Sequence, residues 1–134
     1  MSFSNPKFVR SKLNNLTNFG FGTLAKADIS SILRTSEERH GREARVRYRA
    51  LLTAAMRRTA ADPEGNLTAE RTELQQGIRS YQIRHSRGES GEVPVTNPVH
   101  VIFYRSRRPG LIEIVRVLHE RMDPSRQIGA EPGS

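Results

Sequence analysis

The 134-residue chain contains no cysteine and no tryptophan. Without thiols there is no disulfide framework and no cysteine-based metal centre. A reducing compartment, the cytoplasm, is the expected setting. Aromatic side chains are few, five phenylalanines and three tyrosines. Nucleic-acid binders usually interleave aromatics with their cations, so sequence-specific DNA binding is not expected. No apolar run approaches the ~20 residues of a membrane-spanning helix. Met1–Phe8 has no hydrophobic signal region, so neither secretion nor membrane insertion is expected. The four histidines, His40, His85, His100 and His119, show no metal-ligand spacing, and neither metal nor cofactor is expected.

Acidic residues are also in the minority, 14 against 22 lysines and arginines, which gives a formal net charge of +8. Nearly all of the positive charge is arginine; the only lysines are Lys7, Lys12 and Lys26. Such a surface attracts polyanions, either nucleic acid or an acidic protein segment.

The length suits one domain. Residues 1–18, rich in asparagine, read as an N-terminal extension with the composition of a disordered segment. Phe19-Gly20-Phe21 suggests a short first strand. Thr23 is positioned as the N-cap of a first helix, with Ile29, Ile32 and Leu33 on one face and Gly41 as its stop. Ala44, Tyr48, Leu51, Leu52, Ala55 and Met56 then form a continuous stripe over three turns of a second helix. Asp62-Pro63 ends it, because a residue before proline disfavours helical geometry. Residues 64–76 read as loop. Period-two alternation around Tyr81, Ile83 and His85 predicts a strand. The stretch 86–98, punctuated by Gly88, Gly91, Pro94 and Pro98, predicts a long connection. Two dense strands follow, 99–105 and 111–118, joined by a 106–110 turn with Pro109-Gly110. The second, almost continuously apolar, belongs in the middle of a sheet. The order implies an α+β fold, a helical hairpin packed on one face of a small, mostly antiparallel sheet. The domain is expected to span 19–128, with 129–134 as a tail.

The segment Val99-His100-Val101-Ile102-Phe103-Tyr104-Arg105, followed after the turn by Ile112-Glu113-Ile114-Val115-Arg116-Val117-Leu118-His119-Glu120-Arg121-Met122-Asp123, resembles the last two strands and closing segment of the ParE branch of the RelE/ParE toxin superfamily. Gly77-Ile78-Arg79-Ser80-Tyr81 resembles the family's first strand after the helices, and Leu24-Ala25-Lys26-Ala27-Asp28-Ile29 its first helix. The resemblance implies the toxin of a type II toxin–antitoxin module, held in check by a ParD-like antitoxin and acting on DNA gyrase. Contact with DNA would then run mainly through the antitoxin or gyrase. RelE-like relatives are ribosome-dependent mRNA endonucleases, and many place a catalytic tyrosine or histidine near the C-terminus. Here no tyrosine follows Tyr104, which favours a binding inhibitor over an enzyme and leaves no residue assigned to catalysis.

The resemblance also suggests two sets of working residues. Leu33, Tyr48, Leu52, Arg79 and Arg105 would receive the antitoxin. His119, Arg121, Met122, Asp123 and Arg126 would contact the target. The endonuclease alternative would use Arg79, Arg105 and His119. The bland reading of the cations on strands is ion pairing, with Glu73 or Glu113 as partners, and Arg116 is expected to be structural.

Overall fold

A computed structural model describes residues 9–10 and 18–128. Strand β1 (Val9–Arg10) pairs antiparallel with β2 (Asn18–Phe21). The rest of the 1–18 segment and the 129–134 tail lie outside the described residues. Helices α1 (Thr23–His40) and α2 (Arg42–Ala61) follow, then β3 (Thr68–Glu70), β4 (Arg79–Gln82), β5 (His100–Arg108) and β6 (Leu111–His119). The six strands form one sheet in the order β1-β2-β6-β5-β4-β3. Every pairing is antiparallel except β2 with β6, which is parallel. The architecture is the expected α+β fold, with two helices on a mostly antiparallel sheet and β6 inside it.

The helical stripe is core. Tyr48, Leu51, Leu52, Ala55 and Met56 from α2, with Ala25 and Leu33 from α1, pack on Phe19, Tyr81, Ile102, Tyr104, Ile112, Ile114 and Val117 of the sheet. Alternation along β5 and β6 sends Val101, Phe103 and Leu118 to the opposite face, where Leu74, Ile78 and Ile128 cover them. A sheet apolar on both faces explains why β5 and β6 read as near-continuous apolar runs.

Four local expectations need correction. Gly22, not Thr23, is the N-cap of α1, and no side chain caps that end. The 64–76 stretch contains β3, whose Thr-Ala-Glu sequence lies at the sheet edge with no buried residue to give it a period. The strand expected around Tyr81, Ile83 and His85 stops at Gln82 and turns into a 3₁₀ segment, Ile83–Ser86. There Tyr81 hydrogen bonds to Ser86 at 2.8 Å, closing the turn. Finally, β5 runs through Arg108, so the loop to β6 is only Pro109-Gly110, with Gly110 at φ 82°. A bulge between Ser106 and Arg108 absorbs the extra residue.

Gly41 is the joint between the helices, with φ 94° and ψ 175°, and its amide N–H bonds the Glu37 carbonyl at 2.9 Å. That region of backbone space is essentially reserved for glycine. An added Cβ would meet nothing within 4 Å, so the cost of a side chain is purely conformational. Gly41→Ala is expected to lower stability by about 1–3 kcal/mol in denaturant unfolding, with an unchanged slope.

One pairing fixes α1 to the sheet. Beyond Ile114 the edge of β6 has no strand partner, because β2 ends at Phe21. Asp28 of α1 covers this edge. Its carboxylate accepts from Arg116 Nε and Nη2 at 2.8 and 2.9 Å, and from the Val117 amide at 2.9 Å. Arg116 is structural, as expected, although its partner comes from a helix 88 residues away. Among the described residues no helix is long and apolar enough to cross a membrane.

Candidate partner-binding site

A cleft of about 730 Å³ opens between α1, α2, the 94–97 stretch and the ends of β5 and β6. Its position follows from the strand register. His100 begins β5, His119 ends β6, and the two are paired across the hairpin at the end away from the Pro109-Gly110 turn. Alternation with Ile102 and Val117 turns both rings toward the helices. Tyr48, from the middle of α2, reaches down to meet them.

The three side chains form a connected group. The Val99 amide donates to Tyr48 Oη at 3.2 Å, and the Tyr48 hydroxyl lies 2.6 Å from His100 Nδ1. With the Tyr48 hydroxyl as the donor of that bond, the neutral His100 carries its proton on Nε2. Burial pushes the Tyr48 phenol up to about 12 and the His100 imidazole down to about 4. The His100 ring meets His119 edge to face, with centroids 5.5 Å apart. His119 Nδ1 accepts the Arg121 amide at 3.0 Å.

A pH dependence follows. In the unfolded chain His100 titrates near its ordinary 6.5, and in the folded chain near 4. Between those values the unfolded state binds the extra proton. The contribution of the neutral histidine is therefore complete above about 6.5 and is lost as pH falls toward about 4. Unfolding midpoints of the protein should drop across that window, and His100→Gln should flatten the drop.

The residues expected to receive an antitoxin do not share one surface. Leu33 and Leu52 are 6% and 2% exposed and belong to the core beneath the cleft. Tyr48 lines the cleft itself. Arg79 stands opposite Tyr104, and Arg105 opposite Glu113, toward the other end of the hairpin. Arg105 pairs with Glu113 at 3.2 Å, as the structural reading anticipated, and Arg107 joins it at 3.2 Å. Arg79 does not reach Glu73, which binds Arg71 instead. Arg79 donates to Thr68 Oγ1 at 2.7 Å and lies 3.7 Å from Glu70, tying β3 to β4.

The five residues expected to meet a target fall within one stretch, 119–126. The chain leaves β6 at His119 with Glu120 bonded back to the Val99 carbonyl at 2.8 Å. Asp123 then caps the 3₁₀ turn Pro124–Arg126, accepting from the Ser125 amide and hydroxyl at 3.0 and 2.7 Å. Those two bonds hold the Asp123 carboxyl below its ordinary range. Ile128 anchors the segment in the second core. Arg121, Met122, Asp123 and Arg126 are exposed, Met122 at 42%. The result is a firmly seated turn with an outward row of two arginines and a methionine.

The sequence did not single out His100 or Val95. His100 has no metal-ligand spacing, but its two-residue offset from Ile102 places it on the helix-facing side. No group of three or more metal-ligating side chains occurs among the described residues. Arg79, Arg105 and His119 do not converge either. Five residues of β5 separate the partner of His119 from Arg105, roughly 17 Å at strand rise.

A family model described as the ParE toxin of the type II toxin–antitoxin system parDE matches residues 21–124, and the chain belongs to that family. No curated protein matches the chain. Family membership brings with it an antitoxin partner.

Proposed function

We propose that this ParE-family chain arrests growth by binding DNA gyrase and blocking replication, and that a ParD-like antitoxin neutralises it. Both would act in the cytoplasm, with residues 19–128 as the toxin domain between an N-terminal extension and the 129–134 tail. The observation that carries this reading is the family match across 21–124. Support for the target surface comes from the exposed Arg121, Met122, Asp123 and Arg126, held in one geometry by the Asp123 cap and the buried Ile128. His119 would set the start of that surface. The antitoxin would lie over the cleft beside Tyr48, above the core residues Leu33 and Leu52, and extend along the sheet toward Arg79 and Arg105. A segment spanning both ends must be extended or helical and ordered on binding. DNA would be reached mainly through gyrase or the antitoxin.

The endonuclease alternative needs an acid, a base and cations around one phosphate. Its three nominated groups lie on β4, in the middle of β5 and at the end of β6, and do not converge on one phosphate. Induction of the chain in growing cells separates the two. Gyrase poisoning should give filaments and a DNA-damage response, both relieved by the antitoxin encoded beside the toxin. Prompt translation arrest with intact chromosomes would reject the gyrase reading.

A further inference from the structure

The described lining of the cleft is rich in groups that can donate. His119 Nδ1 accepts from the Arg121 amide, and with the Tyr48 hydroxyl as donor His100 Nδ1 accepts from Tyr48. With those lone pairs occupied, each neutral ring has only an Nε2–H left to offer. The walls add the hydroxyls of Ser31, Thr35, Ser36 and Thr96, and the mouth adds Arg39 and Arg47. Neither aspartate nor glutamate occurs among the described residues lining it.

The carboxylates nearby are engaged elsewhere. Asp28 is held by Arg116 and the Val117 amide, Glu120 by Arg84, and Glu37 by Arg45 at 2.9 Å. Glu43 lies 3.4 Å from Arg47 in an exposed pair of little strength. Arg39 makes no ion pair among the described residues.

The cleft is also lined by apolar groups, Ile32, Ala44, Val95 and Val99. Methylenes ending in an acceptor suit such a surface, whereas a bare ion would leave it unfilled. About 730 Å³ holds several side chains rather than one ion. A chain with net charge +8 also steers acidic partners toward itself.

We infer that the floor of this cleft, at Tyr48, His100 and His119, is a carboxylate-recognition subsite that takes one aspartate or glutamate side chain from an acidic segment of the antitoxin. The inference rests on the toxin–antitoxin reading above for the identity of the partner. The histidines donate through Nε2 to the carboxylate, and Arg39 and Arg47 neutralise it at the mouth. Ile32 and Val95 pack on its stem.

The chain has four histidines, so their ring resonances in NMR report the site directly. His85 lies off the cleft and serves as an internal control. The probes are a blocked peptide of alternating leucine and glutamate, its glutamine counterpart, and inorganic phosphate. The glutamate peptide should shift His100 and His119 saturably and leave His85 in place. The glutamine peptide should bind more weakly, on the order of tenfold per lost charge contact. Arg39→Gln with Arg47→Gln should weaken the glutamate peptide to a similar degree, and Arg57→Gln on the outer face of α2 should not.

Equal binding of the two peptides, or no saturable shift at either cleft histidine, would overturn the subsite. Phosphate saturating the same resonances at lower concentration than the peptide would assign the floor to a free anion and overturn the antitoxin assignment. Growth arrest by the induced chain is scored separately. If the chain arrests growth but the peptides bind indifferently, the subsite fails and the toxin reading stands. If the glutamate peptide binds as expected but the chain arrests nothing, the toxin reading fails and the subsite stands.

Discussion

Asp28→Ala should destabilise the protein by about 3–5 kcal/mol, the cost of leaving a buried charge without its partner. The Arg116 and Asp28 side chains are only 13% and 15% exposed, so solvent cannot replace the pair. The same substitution strips the Val117 amide of its acceptor at an otherwise unpaired stretch of β6. An unsatisfied buried donor adds a desolvation penalty of its own. The thermal midpoint should fall by on the order of ten degrees or more. A control isolates the cause. Asp28→Leu with Arg116→Met removes both charges, and the pair of substitutions should recover much of the loss that either causes alone. Equal losses for the double and single variants would show that packing, and not the charge pair, holds α1 to the sheet.

Met122→Glu combined with Arg126→Glu should weaken target inhibition by about a hundredfold while leaving the unfolding midpoint nearly unchanged. Interface energy concentrates in a few central residues, and two such positions suffice for an effect of that size. Both side chains are exposed, and the segment's own stability comes from Asp123, Ser125 and Ile128. The salt contact between Arg126 and Asp123, at 3.8 Å on the surface, contributes little to folding. The substitutions therefore separate target contact from structure. Full potency in the doubly substituted, folded protein would remove the closing segment from the target surface.

The parts of the fold that could be read from the sequence were those with many repeats of one signal. The α2 stripe repeats over three turns, and β5 and β6 are apolar enough to declare themselves central. Gly41 and Asp62 marked helix ends because backbone geometry there admits few residues. The edge strand β3 was missed because three mostly exposed residues carry no period. The 3₁₀ turn at 83–86 was missed because Ile83 keeps the burial of a strand residue while the Tyr81–Ser86 bond bends the chain.

The site was less legible, since its parts meet only through the register. Tyr48 was named, but its stripe position said only that it was core. That its hydroxyl would reach His100, 52 residues on, depends on how α2 crosses the sheet. Arg116 was recognisably structural as a charge within a buried strand, but nothing in the sequence pointed to Asp28. Leu33 and Leu52 show the converse limit. An apolar position at the edge of a stripe looks available for a partner until packing places it beneath the surface.

The central claim is tested most directly by a DNA cleavage and supercoiling assay with purified gyrase and the full-length toxin, with and without its antitoxin. The account predicts loss of supercoiling, accumulation of gyrase-linked cleaved DNA, and reversal of both by the antitoxin. Unimpaired gyrase in the presence of a folded, antitoxin-binding toxin would contradict it.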